Sequence, residues 1–469
     1  MRWSRGIATA LLAAVAQTAV AAPAAATGPS SSHLNKRYVE ERDGIAYNVF
    51  EHYETASKMS FVKNSGVCET TPGVNQYSGY LGVGKNMSMW FWFFEARDKP
   101  AEAPLVTWFN GGPGCSSMIG LFQEHGPCHW NNYANMLYVD QPIGTGFSYG
   151  DDPVNSTVTA APYAWNLLQA FYASFPEYAC RDFGIFTESY GGHYGPEFAH
   201  YIQAQNAAID AGTVAGEKLA LKAVGINNGW FDSTIQERAG IEFAVGNSYR
   251  PLINESTAAA LYDIFDKRCK PALDKCVATG GDAECADADS ICINEVDGPI
   301  SAATDFDTYD IRQPSKDPFP PNTYVDYLRR PDVMQKIGAK ARYESCPNAP
   351  GVGFSRTGDD ARSFLDTLSE VVRTGIQVLL WAGDADYICN WMGNLHVADA
   401  VKYANSTQFG EAGMEDYKVA GVAKGQFKTA GNLSFMRVYE AGHEVPYYQP
   451  EASLQVFMQV MQGEVPSST

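Results

Sequence analysis

Short strand-like runs and longer helix-compatible runs alternate along most of the chain. Residues from about 38 to 94 alternate between apolar and polar as strands do, and 75–81 with 86–94 form a predicted hairpin. A helix is predicted at 161–175. Further short strands are predicted at 105–109, 135–140, 222–227, 377–381 and 433–439. Strands that alternate with helices predict an α/β protein with a mostly parallel central sheet and helices on both faces.

The stretch between about residues 231 and 353 breaks this alternation. It is polar, holds five of the ten cysteines and shows no strong strand period. We predict that it forms a helical, disulfide-stapled insertion that caps the sheet. Four of its cysteines are spaced symmetrically, which favours a nested pairing, Cys269–Cys292 and Cys276–Cys285, among the three connectivities that four cysteines permit.

The most distinctive stretch surrounds Ser189. A strand-like approach, residues 183–187, runs into this serine, and Gly191 and Gly192 follow before a helix-compatible run begins. This is the sequence form of a nucleophile elbow, in which a sharp turn between a strand and a helix holds a serine on strained backbone. The general pattern is Gly-x-Ser-x-Gly, and Thr187 stands in place of its first glycine. Such a serine needs a histidine base, a carboxylate that orients the base, and donors for an oxyanion.

Two later strands end in residues that could complete this chemistry. In α/β-hydrolases the nucleophile, the acid and the base follow each other along the chain, each at the C-terminal end of a strand. Strand 377–381 is followed by Asp384 and Asp386, and strand 433–439 by His443. Of the eight histidines, only His443 follows such a strand into a glycine-preceded loop, so we predict that it is the base. Both aspartates are candidates for the acid.

Metal chemistry is not indicated by the remaining histidines and cysteines. His125 and His129 are four residues apart, but Gly126 and Pro127 break the helix that a metal-binding pair would need. The cysteines lack the paired spacing of a zinc module. We therefore predict no metal site and no cofactor.

The first 21 residues have the form of a secretory signal peptide. Arg2 and Arg5 precede an apolar run at 7–16, and small residues at 19–21 provide a cleavage site. A transmembrane anchor is the alternative, but the apolar run is too short and too rich in alanine.

The signal peptide is followed by a candidate pro-segment, residues 22–37, that ends at the dibasic pair Lys36-Arg37. Residues 38–469 would form the mature domain. The C-terminal segment 463–469 is polar and carries no lipid-anchor signal.

The composition limits which partners the protein is expected to bind and indicates the compartment in which it is expected to be found. Acidic residues outnumber basic ones, 53 to 34, and the net charge of −19 repels phosphate backbones and anionic lipid. We predict no nucleic-acid partner and no membrane anchor, and the sequence fits a monomer or a homodimer. Ten cysteines suit an oxidising compartment, so we predict a secreted glycoprotein, with a vacuolar destination less favoured. The candidate glycosylation sites are Asn86, Asn155, Asn254, Asn405 and Asn432.

Five sequence blocks, in the same order, resemble the serine carboxypeptidase family. The resemblance covers the chain from about residue 38 to 462 and is nearest to the fungal secreted members. The blocks are Trp108-Phe109-Asn110-Gly111-Gly112-Pro113-Gly114-Cys115-Ser116-Ser117, Asp140-Gln141-Pro142 with Gly146-Phe147-Ser148-Tyr149, Glu188-Ser189-Tyr190-Gly191-Gly192, Gly383-Asp384-Ala385-Asp386 with Asn390-Trp391, and Gly442-His443-Glu444-Val445-Pro446.

This resemblance implies an α/β-hydrolase fold and a catalytic triad with Ser189 as nucleophile, Asp386 as orienting acid and His443 as base. It favours Asp386 over Asp384, which would bind its own loop. The oxyanion would be bound by the backbone N–H groups of Gly112 and Tyr190.

The resemblance also implies exopeptidase action on a free C-terminal carboxylate. The residues that would bind this carboxylate are Asn110, the Gly111 backbone, Glu124 and Glu188. Two glutamates repel a carboxylate unless they hold a proton, and crowding raises the pKa of at least one of them. We therefore expect the activity to be highest at acidic pH.

Family resemblance further implies pairings for the cysteines. The oxyanion-loop cysteine would form Cys115–Cys346, and the nested pairs of the insertion agree with the family pattern. Cys68–Cys128 would be the remaining bridge. Cys389, close to Asp386, would be a thiol near the site, and Cys180 would also be free.

Two features depart from the family pattern. Only His129 separates Cys128 from Trp130, where relatives have a longer stretch, and this shortening lies close to Glu124. Glu444 follows the predicted base directly, and we expect it to border the pocket for the departing residue and to favour basic leaving residues.

The sequence therefore predicts a secreted serine carboxypeptidase that acts through an acyl-enzyme. One alternative is acyl transfer or lyase chemistry on the same scaffold, and another is an inactive binding homologue. Asn110, Glu124 and Glu188 are all present, which favours the carboxypeptidase.

Overall fold

The computed structural model of the chain describes residues 35–52, 57–126, 130–151, 154–302, 305–315 and 319–469. The predicted signal peptide and most of the candidate pro-segment lie outside these residues. Lys36 and Arg37, the predicted processing pair, lie in the first strand. Residues 35–469 form one compact unit.

Strands run through the whole of this unit. In chain order they are β1 to β16, at Lys36–Arg42, Ile45–His52, Ser57–Lys63, Gln76–Gly84, Met87–Phe94, Leu105–Phe109, Asn135–Asp140, Tyr149–Gly150, Asp182–Glu188, Ala220–Asn227, Phe306–Asp307, Asp310–Pro314, Gln377–Gly383, Glu415–Val419, Val422–Ala430 and Leu433–Val438.

Helices connect most of the strands. In chain order they are α1 to α15, at Thr157–Ser174, Gly191–Asp210, Ser233–Gly246, Glu255–Ile264, Lys270–Thr279, Asp282–Cys292, Gly298–Ala302, Tyr324–Leu328, Pro331–Ile337, Asn348–Thr357, Leu365–Arg373, Trp391–Ala400, Ser406–Glu411, Val445–Tyr448 and Pro450–Met461. Shorter helical turns lie at Gly120–Glu124, Trp130–Asn132, Pro176–Tyr178, Phe265–Cys269 and Ile293–Asp297.

Most of the strands form one large sheet in the order β1-β2-β3-β4-β5-β7-β6-β9-β10-β13-β16-β15-β14, with β8 paired to β5. The central strands β7, β6, β9, β10, β13 and β16 are parallel to each other. Antiparallel strands extend the sheet at both edges. The predicted α/β architecture is confirmed. Because the central strands are parallel, the C-terminal ends of β9, β13 and β16 lie at one edge of the sheet.

Alternating residues of the central strands divide the core into two layers. In β5, Phe91 and Phe93 point into one buried cluster, whereas Trp90 and Trp92 point into the other. The same division holds along β13, where Val378 and Leu380 face one layer while Leu379 and Trp381 face the other. Side chains buried on both faces explain why these strands read as continuous apolar runs. Helices cover both faces, as in the prediction.

The region predicted as an insertion contains helices α3 to α9, the start of α10, and a separate two-stranded hairpin, β11 with β12. It has its own buried cluster around Phe265, Leu273 and Val296. Two disulfides, Cys269–Cys292 and Cys276–Cys285, join its helices in the nested arrangement. The hairpin is absent from the sequence prediction, because strands of two and five residues carry too short a period to be recognised.

The sheet edge formed by β14 and β15 is also absent from the prediction. Most of their residues are half-buried or exposed, and β15 carries Lys424 and Lys428 among its residues, which hides the period. None of the described helices is both long and apolar enough to cross a membrane.

The predicted glycosylation sites differ in accessibility. Asn86, Asn155 and Asn254 are exposed. Asn405 and Asn432 are half-buried, and the Asn432 side-chain nitrogen donates to the carbonyl oxygens of Val372 and Ile376, at 2.8 and 2.6 Å. Glycosylation replaces one of the two hydrogens on this nitrogen, so use of Asn432 would remove at least one of these bonds.

Candidate active site

Ser189 lies in the turn between β9 and α2. Its φ of +61° is in the left-handed region, which residues other than glycine rarely adopt. The Ser189 N–H donates to the carbonyl oxygen of Asn227 at 3.0 Å, and its carbonyl oxygen accepts from Gly192 N–H at 2.9 Å and Trp230 N–H at 2.8 Å. These bonds hold the strained turn from both sides, as a nucleophile elbow requires.

The contacts of the Thr187 side chain explain why threonine stands in place of glycine in the elbow. Its side chain is fully buried, and its hydroxyl donates to the Gly191 carbonyl oxygen at 2.9 Å. A Cβ atom at Gly191 would lie 2.4 Å from the Thr187 Cβ, and one at Gly195 would lie 3.1 Å from Thr187 Oγ1. The threonine side chain therefore fills the space that two glycines of α2 leave open.

Asp386 and His443 are brought together by the ends of β13 and β16. His443 Nδ1 lies 2.8 Å from Asp386 Oδ2. The same oxygen accepts from the Asn228 side chain at 2.7 Å and from the Cys389 N–H at 3.2 Å. Asp386 is fully buried, so these donors fix the carboxylate, and the carboxylate in turn fixes the orientation of the imidazole ring.

The other candidate acid, Asp384, is engaged elsewhere. The Tyr249 hydroxyl donates to its Oδ1 at 2.6 Å, and the Glu440 N–H donates to the same oxygen at 2.9 Å. Arg437 Nη2 donates to Asp384 Oδ2 at 3.1 Å. Asp384 therefore supports its own loop and an ion pair, and it is not a partner of His443.

Ser189 and His443 both line a cavity of about 220 Å³, together with Glu188 and Glu444; we call it the Glu444 cavity. No hydrogen bond joins Ser189 to His443 among the described residues. His443 Nε2 lies 3.3 Å from Glu188 Oε1, and the Ser189 hydroxyl contacts the Cys389 thiol. Hydrogen bonds between nucleophile and base are often long or misaligned before substrate binds, and they tighten in the complex with substrate.

The predicted oxyanion donors lie where a glycine loop meets the elbow. A Cβ atom at Gly111 would lie 2.3 Å from the Tyr190 nitrogen and 2.9 Å from the Ser189 Cβ, so only glycine permits this approach. Gly112 has φ +114°, a conformation that a side chain at this position would strain. The loop thus brings the Gly112 backbone close to the serine, next to Tyr190.

Asn110, Glu124 and Glu188 form a buried cluster beside the serine. The Asn110 side-chain nitrogen donates to Glu124 Oε1 at 2.9 Å and also to Glu188 Oε2. Asn110 Oδ1 accepts from the Trp108 indole N–H at 2.7 Å and from the Gly120 N–H at 2.9 Å, which fixes the amide orientation. One oxygen of Glu124, Oε2, is buried without a hydrogen-bond partner among the described residues.

The ionisation of this cluster is coupled to that of His443. Burial, together with the charge of Glu188, raises the pKa of Glu124 well above its usual value. Burial also raises the pKa of Glu188, although the positive charge of His443 and the Asn110 hydrogen bond oppose this shift. Burial alone would lower the pKa of His443, but Asp386 and Glu188 raise it to about 9. A proton on Glu188 therefore favours the neutral form of His443.

Glu444 extends the acidic character of the same cavity. Burial and the charge of Glu188 raise its pKa well above the usual value, and Asp307 adds to the shift, while His443 opposes it. Its Oε2 is buried without a hydrogen-bond partner among the described residues. The cavity therefore contains a carboxyl group that lacks a donor.

Two contributors to the site are missing from the sequence prediction. Asn228 holds Asp386 and stands directly after β10, so its position at the C-terminal end of a parallel strand was the available signal. The carbonyl oxygen of Tyr309 accepts a hydrogen bond from the backbone N–H of His443 at 2.8 Å. The Tyr309 ring packs edge-on against the imidazole, with 4.8 Å between the ring centres. It comes from the unpredicted β11–β12 turn, so no motif could have identified it.

The remaining cysteines include one disulfide and two free thiols among the described residues. Cys115–Cys346 is bonded in the structure and joins the oxyanion loop to the insertion. Cys389 is a buried thiol and Cys180 an exposed one. Cys128, the predicted partner of Cys68, lies outside the described residues with His129, so this pairing and the effect of the short loop stay predictions.

The fold and the arrangement of Ser189, Asp386 and His443 define a serine hydrolase of the α/β-hydrolase class. A family profile described as serine carboxypeptidase matches residues 66–463. The chain belongs to the serine carboxypeptidase family.

Individual relatives agree with this assignment. Carboxypeptidase S1 of Penicillium janthinellum is 62% identical over 423 residues, which cover 87% of this chain and 100% of that protein. Carboxypeptidase Y of Schizosaccharomyces pombe is 35% identical over 476 residues, which cover 96% of this chain and 47% of that protein. The crystal structure of Kex1Δp, a prohormone-processing carboxypeptidase from Saccharomyces cerevisiae, has the same fold, with a TM-score of 0.67, 23% identity, and coverage of 83% of this chain and 91% of that chain.

Proposed function

We propose that this serine carboxypeptidase releases single residues from the C-termini of peptides and proteins at acidic pH. The observation that carries the proposal is the buried cluster of Asn110, Glu124 and Glu188 next to Ser189. A hydrolase of internal bonds has no use for it, whereas a substrate carboxylate can accept hydrogen bonds from the Asn110 amide and from a protonated glutamate.

The reaction proceeds in two halves. In the first, Ser189 Oγ attacks the carbonyl carbon of the last peptide bond while His443 Nε2 takes its proton, and the N–H groups of Gly112 and Tyr190 bind the oxyanion. The imidazolium then protonates the departing amine, the C–N bond breaks and an ester remains on Ser189. In the second half, His443 takes a proton from water, the hydroxide attacks the ester, and the shortened peptide leaves as Ser189 regains its proton.

Coupled protonation gives the reaction its acidic optimum. At acidic pH Glu124 and Glu188 hold a proton, so they donate to the substrate carboxylate instead of repelling it. The same proton removes the negative charge of Glu188 from His443, whose burial then lowers its pKa towards the neutral base. As pH rises the glutamates ionise, and peptide binding weakens.

The Glu444 cavity supports a preference for a basic departing residue. Glu444 and Asp307 line it together with the aromatic ring of Phe319. The unpartnered Oε2 of Glu444 could accept a hydrogen bond from a lysine ammonium or an arginine guanidinium.

The sequence and the disulfides support an extracellular location. The predicted signal peptide, five sequons and the bonded cysteine pairs all suit an oxidising, extracellular environment.

The test uses blocked dipeptides with a free C-terminus and the same dipeptides as C-terminal amides, from about pH 4 to about pH 8. We expect kcat/KM on the free acids to be highest at the acidic end, and the amides to be cleaved far more slowly. A profile that keeps rising towards about pH 8, or equal cleavage of the amides, would contradict the proposal.

A further inference from the structure

Asp140 belongs to a sequence block that the proposed reaction leaves without a role. It is the last residue of β7, which pairs in parallel with β6, and β6 leads directly into residues 110–117, the oxyanion loop. The Asp140 side chain is fully buried and is not part of the lining of the Glu444 cavity. Its contacts are instead with the segments that hold the oxyanion loop in place.

Both oxygens of the Asp140 carboxyl group bind donors from neighbouring loops. Oδ1 lies 2.6 Å from the Ser116 hydroxyl oxygen and accepts from the Ser117 N–H at 3.0 Å. Oδ2 accepts from the Phe147 N–H at 2.9 Å. One buried side chain thus joins the C-terminal end of the oxyanion loop to the loop that follows β7.

The loop that follows β7 packs closely against Asp140 and supports the oxyanion loop at a second point. A Cβ atom at Gly146 would lie 2.0 Å from Asp140 Oδ2, so this approach requires a glycine. The Thr145 hydroxyl donates to the carbonyl oxygen of Gly114, in the oxyanion loop, at 3.2 Å. By binding the Phe147 N–H, Asp140 therefore also fixes the segment that holds Gly114.

Ser117 closes the base of the oxyanion loop. Its hydroxyl accepts from the Asn110 N–H at 3.2 Å and donates to the Val139 carbonyl oxygen at 2.5 Å. Because Asp140 binds the Ser117 N–H, two successive residues of β7 hold Ser117. Gly112, whose N–H is a predicted oxyanion donor, lies between the two bonded ends of this loop.

The Cys115–Cys346 disulfide does not provide the same attachment. It joins the oxyanion loop to the insertion. Ser189, by contrast, follows β9, which pairs with β6 in the central sheet. The position of the Gly112 N–H relative to Ser189 therefore depends on how the loop is attached to the sheet, and Asp140 provides that attachment at the far end of the loop.

Asp140 can hold the loop with or without a proton. Burial raises the pKa of Asp140 to about 7, although its three hydrogen bonds oppose the rise, so the group holds a proton at acidic pH. The Ser116 hydroxyl can accept a hydrogen bond from that proton as well as donate one, and the carboxyl oxygens keep lone pairs for the Ser117 and Phe147 N–H groups. An amide is different, because its nitrogen has no lone pair that could accept from a backbone N–H.

We propose that Asp140 is a positioning residue for the oxyanion hole, which attaches the oxyanion loop to the central sheet and so places the Gly112 N–H next to the oxyanion that forms when Ser189 attacks. This proposal rests on the serine carboxypeptidase reaction proposed above. Negative charge develops on the attacked carbonyl oxygen only in the transition state, so a displaced donor weakens binding of the transition state more than binding of the intact substrate. We therefore expect kcat to depend on Asp140 more strongly than KM does.

The test compares the inhibition constant of a blocked peptide aldehyde with that of the matching peptide alcohol. The Ser189 hydroxyl oxygen adds to the aldehyde carbon while its proton passes to His443, and the former carbonyl oxygen enters the oxyanion hole as it becomes tetrahedral. The alcohol occupies the site without forming this bond. The ratio of the two inhibition constants therefore reports formation of the tetrahedral adduct, and changes that affect both ligands cancel.

In Asp140→Asn we expect the advantage of the aldehyde over the alcohol to fall about 10- to 100-fold and kcat to fall by a similar factor, with KM changed less than about threefold. Ser116→Ala removes one of the three donors, and its ratio should fall about three- to tenfold.

The matched control is Ser148→Ala. The Ser148 hydroxyl donates to the Asp140 carbonyl oxygen at 2.7 Å and accepts from the Trp90 N–H at 2.7 Å. This variant therefore removes a buried bond to the same residue but no contact of its carboxyl group, and we expect the ratio of inhibition constants to stay unchanged.

Two results would overturn the proposal while leaving the carboxypeptidase function intact. One is an Asp140→Asn variant, folded as judged by circular dichroism and thermal unfolding, that keeps the original ratio of inhibition constants; if it does not fold, the same result for Ser116→Ala decides. The other is an equal fall of the ratio in Ser148→Ala, because the carboxyl group would then have no special role. Failure of the original enzyme to cleave blocked dipeptides with a free C-terminus would instead contradict the proposed function, and this proposal with it.

Discussion

The two cavities on either side of Ser189 both bury carboxyl groups, but they supply them with different partners. In the Glu444 cavity the Asn110 amide, fixed by two donors of its own, holds the Glu124–Glu188 pair, and His443 adds a positive charge beside Glu188. The second cavity, of about 270 Å³, is lined by Ser189 together with Glu237, Asp297 and Asp360, and we call it the Glu237 cavity; its lining contains no basic side chain.

The difference in partners determines which ligands each space can accept. Fixed donors and a shared proton suit a ligand that is itself a carboxylate, which in the proposed function is the C-terminus of the substrate. Buried carboxyl groups without a basic side chain beside them suit a ligand that brings a proton or a positive charge.

The largest loss of activity is expected from a change to Asp386, because this residue orients the base that serves the nucleophile between the two cavities. Asp386→Asn should lower kcat about 10⁴-fold for every substrate, because an amide cannot hold His443 in the orientation and tautomer that catalysis needs. Ratios between substrates should stay the same, since neither cavity changes. Asp384→Asn is the matched control, and kcat for it should remain within a few-fold of the original enzyme. Equal losses in both variants would show that the assignment of the acid is wrong.

A smaller effect is expected from Glu188, which belongs to the Glu444 cavity alone. Glu188→Gln should remove much of the decline in peptide kcat/KM as pH rises, because the new side chain stays neutral and can still donate to the substrate carboxylate. The acid limb of the profile should stay where it is, because Glu188 carries a proton and no negative charge in that pH range.

The control for Glu188 is an ester substrate without a free carboxylate, measured over the same pH range. Its kcat/KM should lose little at the optimum, and its acid limb should stay unchanged, as for peptides. A Glu188→Gln profile identical to that of the original enzyme on both substrates would exclude the proposed proton sharing.

Glu444→Gln tests the preference for the departing residue. We expect the ratio of kcat/KM for leaving lysine over leaving leucine to fall about three- to tenfold, because the lysine ammonium would lose an ion pair and keep only a hydrogen bond to a neutral amide. A variant with an unaltered lysine-to-leucine ratio would show that Glu444 does not contact the departing side chain.

The sequence predicted more of the Glu444 cavity than of the Glu237 cavity. Ser189, Asp386 and His443 follow strands whose apolar runs are readable, and Asn110, Glu124 and Glu188 either belong to or lie close to recognisable blocks. Glu237, Asp297 and Asp360 come from a helix, a helical turn and a loop of the insertion, and no local pattern places them together. Their proximity depends on how the insertion packs on the sheet, which is a property of tertiary structure. Tyr309 was missed for the same reason.

The smallest expected effect concerns Thr187, which lines neither cavity. Thr187→Val keeps the shape of the side chain but removes the hydroxyl that bonds the Gly191 carbonyl oxygen at 2.9 Å in a fully buried position. The free energy of unfolding should fall by about 1 to 2 kcal/mol, as urea unfolding followed by tryptophan fluorescence would measure.

Thr187→Ser is the control that keeps the hydroxyl and loses only the methyl group, at a cost of about 1 kcal/mol. Both variants should keep the substrate preferences of the original enzyme, because the elbow is held independently by the Ser189 backbone bonds. A valine variant as stable as the original would show that the threonine serves only to fill space beside the glycines of α2.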